Sequence, residues 1–378
     1  MTEPYTLYGS YASYYTAKVR AYLRKKGIPF VERLPSDPMF RNKVRPASGS
    51  HRIPQLLTPE GDVIQDSVAI VDALETKFPD VPAFPPTPLQ RTFVHLVELL
   101  GSEGLVGLAW RHRWLFPENL PFVIADFGRS FKPQGSDEDL AHYGNLIADR
   151  MMSYGLPEST PQIRASLDAQ YRSLLALFEA HLTVHPYFLG GHPSAADYAV
   201  MGAMHAHMGR DPAGLRTMQD HGPRTFRWME HMLVPEIQSP EFFSAAIAWP
   251  DDDEVPVTSL AILRWMTNNF GEGFVLDVLA FNQAMVRDSP AAGTVLDADN
   301  DQPRLPPEIV NHRGSEHQHA ASLYAVWLAQ RSRAFFHSLG ETDRARIHER
   351  LGDDRLRDLL TAPLEVRLER VNNRFVVA

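Results

Sequence analysis

Residues 5–34 read YTLYGSYASYYTAKVRAYLRKKGIPFVERL, and the order of patterns in this stretch determines the fold class. Residues 5–8 are rich in β-forming side chains. Residues 16–26 then repeat apolar side chains at helical spacing and stop at Gly27, and residues 30–34 return to strand character. A strand, a helix and a second strand at this close spacing are typical of a βαβ unit. The stretch therefore predicts a small α/β domain.

The following residues add a hairpin and a helix to this domain. Residues 54–57, PQLL, and residues 63–64, VI, flank the turn 58–62, which contains proline and glycine, so they are predicted to form an antiparallel pair. Ser67 is placed to cap a helix whose apolar positions recur as far as Phe78. The predicted order of elements is therefore β-α-β followed by β-β-α.

A proline-rich stretch ends the α/β domain. Five prolines lie between residues 79 and 88, and such a stretch can neither continue a helix nor enter a sheet centre. Beyond it strand signals fade, and helical periodicity dominates. The predicted parts are an α/β domain over 1–80, a linker over 81–90, an all-α domain over 91–250, and a mainly helical extension of unknown role over 251–378, with helices at 259–285 and 315–339.

Composition excludes several classes of function. The chain has 378 residues and a net charge of −9, which disfavours nucleic acid and anionic membranes as partners. It has no cysteine, so disulfides, iron–sulfur clusters and a cysteine nucleophile are excluded, and any thiol chemistry needs a thiol from a ligand. No secretion signal is evident, and no apolar run approaches the roughly 18 residues of a membrane span. We expect a cytoplasmic protein.

Four motifs between residues 5 and 210 together resemble the glutathione S-transferase family. Residues 7–20 resemble its catalytic loop and first helix, and residues 52–56 resemble its cis-proline turn. Residues 66–70 are similar to its acid–serine pair, and residues 188–197 to its helical capping box. The resemblance implies the glutathione transferase fold, with a thioredoxin-like N-terminal domain, an all-α domain and, in this chain, extra C-terminal helices.

The resemblance also implies an enzyme that uses glutathione as co-substrate. Ser13 occupies the position that matches the family's catalytic serine or cysteine, so its hydroxyl is expected to stabilise the thiolate. A shift of one residue in the match gives this role to Tyr14 instead. The alternative for Ser13 is a plain loop or capping residue. The absence of cysteine disfavours the family's thiol-exchange members.

The proline turn is expected to bind the middle and the glycyl end of glutathione. A cis bond before Pro54 presents the Ile53 main chain for antiparallel pairing with the cysteinyl backbone. A trans proline at an edge strand is the alternative. Arg52 and His51 are candidates for the glycyl carboxylate, although exposed basic residues need no ligand.

The acid–serine pair is expected to bind the γ-glutamyl end. A helix N-terminus favours an anion, so the γ-glutamyl carboxylate is assigned to Ser67. The ammonium group is assigned to Asp66, or to Gln65 if the register shifts. A plain helix cap is the alternative for this pair.

Other polar clusters are more ambiguous. Ser194 and Asp197 form an S-x-x-D capping box, for which we expect a structural role. The histidines in residues 312–319 and 205–207 lack recognisable ligand spacing, so we expect no metal site. Residues 110–114, WRHRW, either line an acceptor pocket or simply pack.

The resulting hypothesis is a glutathione S-transferase-like enzyme whose activated thiol attacks a small apolar electrophile. Conjugation, substitution and isomerisation all use the same activated sulfur, and the sequence does not choose among them. The alternative is a non-enzymatic glutathione-binding or assembly module that retains the fold. The family resemblance also implies a homodimer and a role in detoxification.

Overall fold

The computed structural model describes residues 4–297 and 303–378. Its first part is a four-stranded sheet in the order β2-β1-β3-β4, in which β1 is parallel to β2 and the other pairs are antiparallel. The βαβ–ββα order predicted from the sequence is confirmed. The elements are β1 (Tyr5–Tyr8), α1 (Tyr14–Lys25), β2 (Phe30–Arg33), α2 (Arg45–Ser48), β3 (Gln55–Leu57), β4 (Val63–Gln65) and α3 (Ser67–Lys77).

Helices dominate the rest of the chain, as predicted. Between residues 88 and 231 they are α4 (Pro88–Leu99), α5 (Leu105–Leu115), α6 (Leu120–Phe131), α7 (Asp137–Met152), α8 (Pro161–His181), α9 (Ala195–Met201), α10 (Pro212–His221) and α11 (Pro223–His231). The later elements are α12 (Val257–Met266), α13 (Glu272–Asp288), β5 (Glu308–His312), β6 (Ser315–His319), α14 (Leu323–Ser338), α15 (Glu341–Leu351), α16 (Asp354–Thr361), β7 (Leu368–Val371) and β8 (Arg374–Val377). π-helical turns occur at Phe40–Val44, Leu100–Gly104, Gly202–Met208 and Thr267–Gly271.

The chain forms two compact units, and their boundaries differ from the predicted domain boundaries. One unit contains residues 1–84 and 105–250, and the other contains residues 85–104 and 251–378. Helix α4, which the sequence assigned to the linker and the all-α domain, thus belongs with the C-terminal segment. Its N-terminal N–H groups at Leu89 and Gln90 donate to the Asp253 carboxylate, each over 2.9 Å.

The second unit is more than a helical extension. Its core includes Phe281, Val326 and Phe375 from α13, α14 and β8. Residues 315–319, predicted as the start of a helix, instead form β6, which pairs antiparallel with β5. The reason is the two-residue turn Arg313–Gly314, whose φ angles of 50° and 82° close a tight hairpin.

The helical stretch Pro88–Leu115 contains α4, a π turn and α5. Among the described residues it alone has the length and hydropathy of a membrane span, yet 83% of its most apolar window is buried within the protein. Its apolar side chains are therefore covered by protein, as in the core helix of a folded domain.

The S-x-x-D motif before α9 forms the predicted capping box. Asp197 accepts the backbone N–H of Ser194 over 2.9 Å and that of Phe188 over 3.0 Å. The Ser194 hydroxyl donates to the same carboxylate over 3.1 Å. Asp197 has no exposed surface, so these bonds satisfy a buried carboxylate and fix the start of α9.

Lys25 links α1 to the segment that follows α11. Its side chain is buried, and its ammonium group donates to the Glu236 carbonyl over 2.6 Å. The Tyr187 ring lies 5.6 Å from the same nitrogen. Burial lowers the pKa of Lys25 to about 7, because the charged form loses its hydration.

We expect this lysine to make stability depend on pH. Between about pH 7 and 10.5 an unfolded lysine is protonated and the folded Lys25 is neutral, so the free energy of unfolding rises with pH by up to about 1.4 kcal/mol per unit. Urea unfolding of the wild type and of Lys25→Met from about pH 6.5 to 9 measures this slope as their difference. Lys132→Met, at an exposed lysine, is the control. A difference for Lys25→Met that stays constant with pH contradicts the prediction.

Candidate functional site

Strand register brings three of the predicted site segments to one end of the sheet. Tyr8 is paired with Gln55, and Gln55 is paired with Gln65, so the three residues lie in line across neighbouring strands. The loop after β1, the turn before β3 and the start of α3 all leave the sheet from this line. Strands are about 4.8 Å apart, so the three segments are neighbours.

The first segment is the loop that carries Ser13. Ser13 is the N-cap of α1, and its hydroxyl oxygen accepts the Thr16 N–H over 3.3 Å. The residue is half-buried. A serine hydroxyl has one proton as well as its acceptor lone pairs, so this cap leaves the proton available for donation. Gly9 allows the tight turn, because a Cβ there would lie 2.2 Å from the Thr16 side chain.

Tyr14, the alternative donor, packs its ring against residues of the helical part of this unit. Its ring packs against Gly202 so closely that a Cβ at residue 202 would lie 2.4 Å from it. The His207 ring meets it edge-on, with centroids 5.5 Å apart. Tyr14 is 6% exposed. Its ring therefore packs against the π turn of residues 202–208.

The second segment is the proline turn. The Ile53–Pro54 bond is cis, as predicted. The Pro54 carbonyl accepts the Asp66 N–H over 3.4 Å, which joins the turn to the start of α3. The Gln55 amide donates to the Arg52 carbonyl over 2.8 Å and thereby holds the turn from inside. Arg52 itself is half-buried.

The third segment is the start of α3, and here one prediction needs correction. The cap is Asp66, with a φ of 87°, and not Ser67, which is the first residue of the helix. The Asp66 carboxylate accepts the Val68 N–H over 2.8 Å and the Ala69 N–H over 3.4 Å. The acidic side chain reaches these N–H groups because it lies one residue before the helix begins.

Ser67 lies beside this cap with its hydroxyl unused. The residue is 1% exposed, and its oxygen has no hydrogen-bond partner among the described residues. A buried hydroxyl without a partner is unfavourable, so the site is suited to a polar ligand group. Gln65, the alternative in the shifted register, is buried in the last position of β4.

Arg20 is a site residue that sequence reasoning missed. It is buried in α1 and pairs with both carboxylate oxygens of Glu32, with its Nε 2.7 Å from Oε2. Its Nη2 also donates to the Ser10 carbonyl in the loop over 3.2 Å. Its spacing of 12 residues from Glu32 gives no periodic signal, because the pair forms only when β2 returns beside β1.

Tyr11 is the exposed aromatic residue of the same loop. It is 48% exposed, and the Arg20 guanidinium lies 4.2 Å from its ring centroid. Arg210 lies 5.4 Å from the same ring and 5.6 Å from the ring of Phe122. Tyr11 thus offers an aromatic surface two residues from Ser13, with two arginine side chains beside its ring.

The WRHRW cluster is mostly packed. The His112 ring stacks on Phe116 with centroids 4.0 Å apart, and burial lowers its pKa to about 4. Trp114 is buried against Phe127. Arg113 is also buried and forms an ion pair with Asp211. Three of the five residues are therefore packed in the protein interior.

The two histidine clusters show no metal geometry in the described ranges. Within residues 4–297 and 303–378, no group of three or more histidine, aspartate or glutamate residues is arranged to hold a metal ion. His319 instead lies 2.9 Å from the Asp277 carboxylate. Burial lowers the pKa of His205 to about 3, with Arg20 and Arg210 adding to the effect.

Comparison with known proteins identifies several similar chains. A probable maleylacetoacetate isomerase of Caenorhabditis elegans is 26% identical over 165 residues, which are 40% of this chain and 75% of that protein. A glutathione S-transferase structure from Rhodospirillum rubrum F11 has a TM-score of 0.40 at 18% identity and covers 68% of this chain and 99% of its own. One from Ceriporiopsis subvermispora, in complex with glutathione, has a TM-score of 0.44 at 20% identity, covering 61% and 99%.

Two family models match the sequence directly. The model described as "Glutathione S-transferase, N-terminal domain" matches residues 7–82, which include the loop, the proline turn and the start of α3. The model described as "Glutathione S-transferase, C-terminal domain" matches residues 143–234. Residues 235–378 lie outside both matches. Over these two segments, which together span fewer than half of its residues, the chain matches the glutathione S-transferase family.

Proposed function

We propose that the protein is a glutathione transferase-type enzyme that activates the glutathione thiol for attack on an apolar electrophile. The family match supports this type of enzyme, and the observation that carries the proposal is the register described above. It places the loop of Ser13, the cis-proline turn and the buried Ser67 hydroxyl at one end of the sheet. The proposed reaction is conjugation, substitution or isomerisation, which all use the same activated sulfur.

The chemistry needs a modest stabilisation of the thiolate. A thiol with a pKa near 8.5 is only about 3% ionised at pH 7. Lowering that pKa by two units makes thiolate the major form and corresponds to about 2.7 kcal/mol. One hydroxyl donor together with a helix N-terminus supplies roughly this amount.

Ser13 is the better candidate for the hydroxyl donor. It is half-buried at the start of α1, where the positive end of the helix favours an anion. Its oxygen already accepts the Thr16 N–H, and the cap does not use its proton. Tyr14 is less suitable because its ring is buried against Gly202 and His207.

The rest of glutathione fits the neighbouring segments. The Ile53 main chain next to the cis bond pairs with the cysteinyl backbone, and Arg52 takes the glycyl carboxylate. Ser67 donates to the γ-glutamyl carboxylate, which gives its unused hydroxyl a partner. Asp66 accepts the ammonium group while it continues to cap α3.

The acceptor substrate is assigned to the exposed surface around Tyr11. An apolar electrophile there lies two residues along the loop from Ser13. The relative named as a probable isomerase makes isomerisation one candidate beside conjugation and substitution. A homodimer, a cytoplasmic location and a detoxification role complete the proposal.

Replacing Ser13 tests the catalytic assignment. In Ser13→Ala we expect the pKa of bound glutathione to rise by about one unit, since a hydrogen bond to a charged group contributes about 1.5 kcal/mol or more. Thiolate absorbance near 240 nm, followed against pH, measures this shift. Tyr14→Phe is the matched control, with an unchanged profile expected. If the two variants behave in the opposite way, Tyr14 is the donor.

Turnover separates the two functional hypotheses. An activated aryl halide, an enone and an uncharged, activated cis-alkene provide substitution, addition and isomerisation substrates. Turnover that falls in Ser13→Ala supports the enzyme. Glutathione binding in calorimetry with no turnover of any substrate supports the glutathione-binding module. No binding at millimolar glutathione overturns the enzyme and the glutathione-binding module and leaves the assembly module.

Variants at Ser67 and Asp66 should separate the affinity for glutathione from the stability of the fold. Ser67→Ala removes a buried hydroxyl without a partner, so we expect no loss of stability and an affinity for glutathione about tenfold weaker. Asp66→Asn keeps an oxygen for the cap but loses the charge, so affinity should fall while stability is retained. Asp66→Ala, the control, should also lose about 1 kcal/mol of stability.

Urea unfolding and calorimetric titration of the three variants give the two readouts. An Asp66→Asn protein that binds glutathione like the wild type would limit Asp66 to its capping role. A Ser67→Ala protein with unchanged affinity would remove the γ-glutamyl carboxylate from α3.

A further inference from the structure

Arg113 in α5 makes an unusually complete set of buried contacts. Its side chain is 3% exposed, and its partner Asp211 is 2% exposed. Nε lies 2.8 Å from one oxygen of Asp211 and Nη2 lies 3.1 Å from the other, so the pair is bidentate. The pair lies 98 positions apart in the chain and joins α5 to the residue that precedes α10.

Two further N–H groups of Arg113 donate to backbone carbonyls. Nη1 donates to the Ala12 carbonyl over 2.8 Å, and Nη2 also donates to the Ala206 carbonyl. Ala206 lies in the π turn of residues 202–208. Arg113 thus connects the helical part of this unit to the loop between β1 and α1.

The contact between Arg113 and the Ala12 carbonyl bears directly on Ser13, because Ala12 immediately precedes Ser13 in the chain. A peptide unit is planar, so holding the Ala12 carbonyl fixes the plane that leads into Ser13. Ser13 has φ −83° and ψ 122°, which set the direction of its side chain. The Ser13 N–H donates to the Ser10 carbonyl over 3.2 Å, and Arg20 Nη2 donates to the same carbonyl over 3.2 Å.

We propose that Arg113, oriented by Asp211, is a positioning residue that holds the Ala12 carbonyl and thereby aims the Ser13 hydroxyl at the thiol. This inference rests on the proposed function. Two buried guanidinium groups then hold the loop, with Arg20 on the Ser10 carbonyl and Arg113 on the Ala12 carbonyl. Misplacement of a reacting group by about 1 Å reduces rates by roughly a hundredfold, so rigid support of this loop matters for catalysis.

The test must separate positioning from simple stability. Removing Arg113 alone leaves the Asp211 carboxylate buried without its partner, which destabilises any protein. The pair replacement Arg113→Met with Asp211→Leu avoids this, because an apolar pair of similar volume is often tolerated. Arg113→Lys is the conservative second variant, since it keeps the charge but cannot make the bidentate contact and reach both carbonyls.

We expect a specific pattern in the pair replacement. The affinity for glutathione should change by less than about threefold, because the proline turn and the start of α3 are untouched. The pKa of the bound thiol should rise by about one unit, from about 6.5 to about 7.5, and kcat at pH 7 should fall roughly threefold with the thiolate fraction. Arg113→Lys should give a smaller shift in the same direction. Arg224→Met, which removes an ion pair with Glu179 away from the loop, should match the wild type.

The Ser13→Ala background provides the decisive comparison. If Arg113 acts through Ser13, the pair replacement should cause no further rise in the thiol pKa once the hydroxyl is absent. A rise of the same size with and without Ser13 overturns the inference. So does a pair replacement, or an Arg113→Lys protein, whose thiol titrates as in the wild type. A wild type that binds no glutathione overturns the proposed function and this inference together. A wild type that binds and ionises glutathione, together with a pair replacement whose thiol pKa is unchanged, overturns this inference alone.

Discussion

The constraint on which the first unit depends is the hydrogen-bonded register of β1, β3 and β4. Because Tyr8, Gln55 and Gln65 are aligned, three loops that are distant in the chain start from one line. A slip of one residue would turn every side chain of a strand to the opposite face. The relative positions of the proline turn, the Asp66 cap and the loop of Ser13 therefore depend on one pairing pattern.

The sequence predicted what local patterns determine. Helical spacing and turn residues gave the βαβ–ββα order, and the S-x-x-D box gave the start of α9. The cis bond at Pro54 followed from resemblance. Local patterns were less informative about caps, because Asp66 and Ser67 are both good capping residues and only the backbone angles show which one precedes the helix.

Pairings between residues distant in the chain could not be predicted from the sequence. Nothing in the spacing of Arg113 and Asp211, or of Arg20 and Glu32, marks them as partners, since each pair is made by tertiary folding. The same holds for α4, whose apolar pattern is that of any core helix. Its position in the second unit depends on Asp253, a residue more than 160 positions away.

The two-segment composition of the second unit has a consequence for how this chain can be divided. Helix α4 buries Phe93, Val94 and Val97 within a unit that otherwise begins at residue 251. A chain cut at residue 250 would therefore present an uncovered apolar helix to water. Residues 251–378 alone would lack the helix that their Asp253 caps. A portion of this chain that keeps the second unit intact must therefore contain residues 85–104 together with residues 251–378.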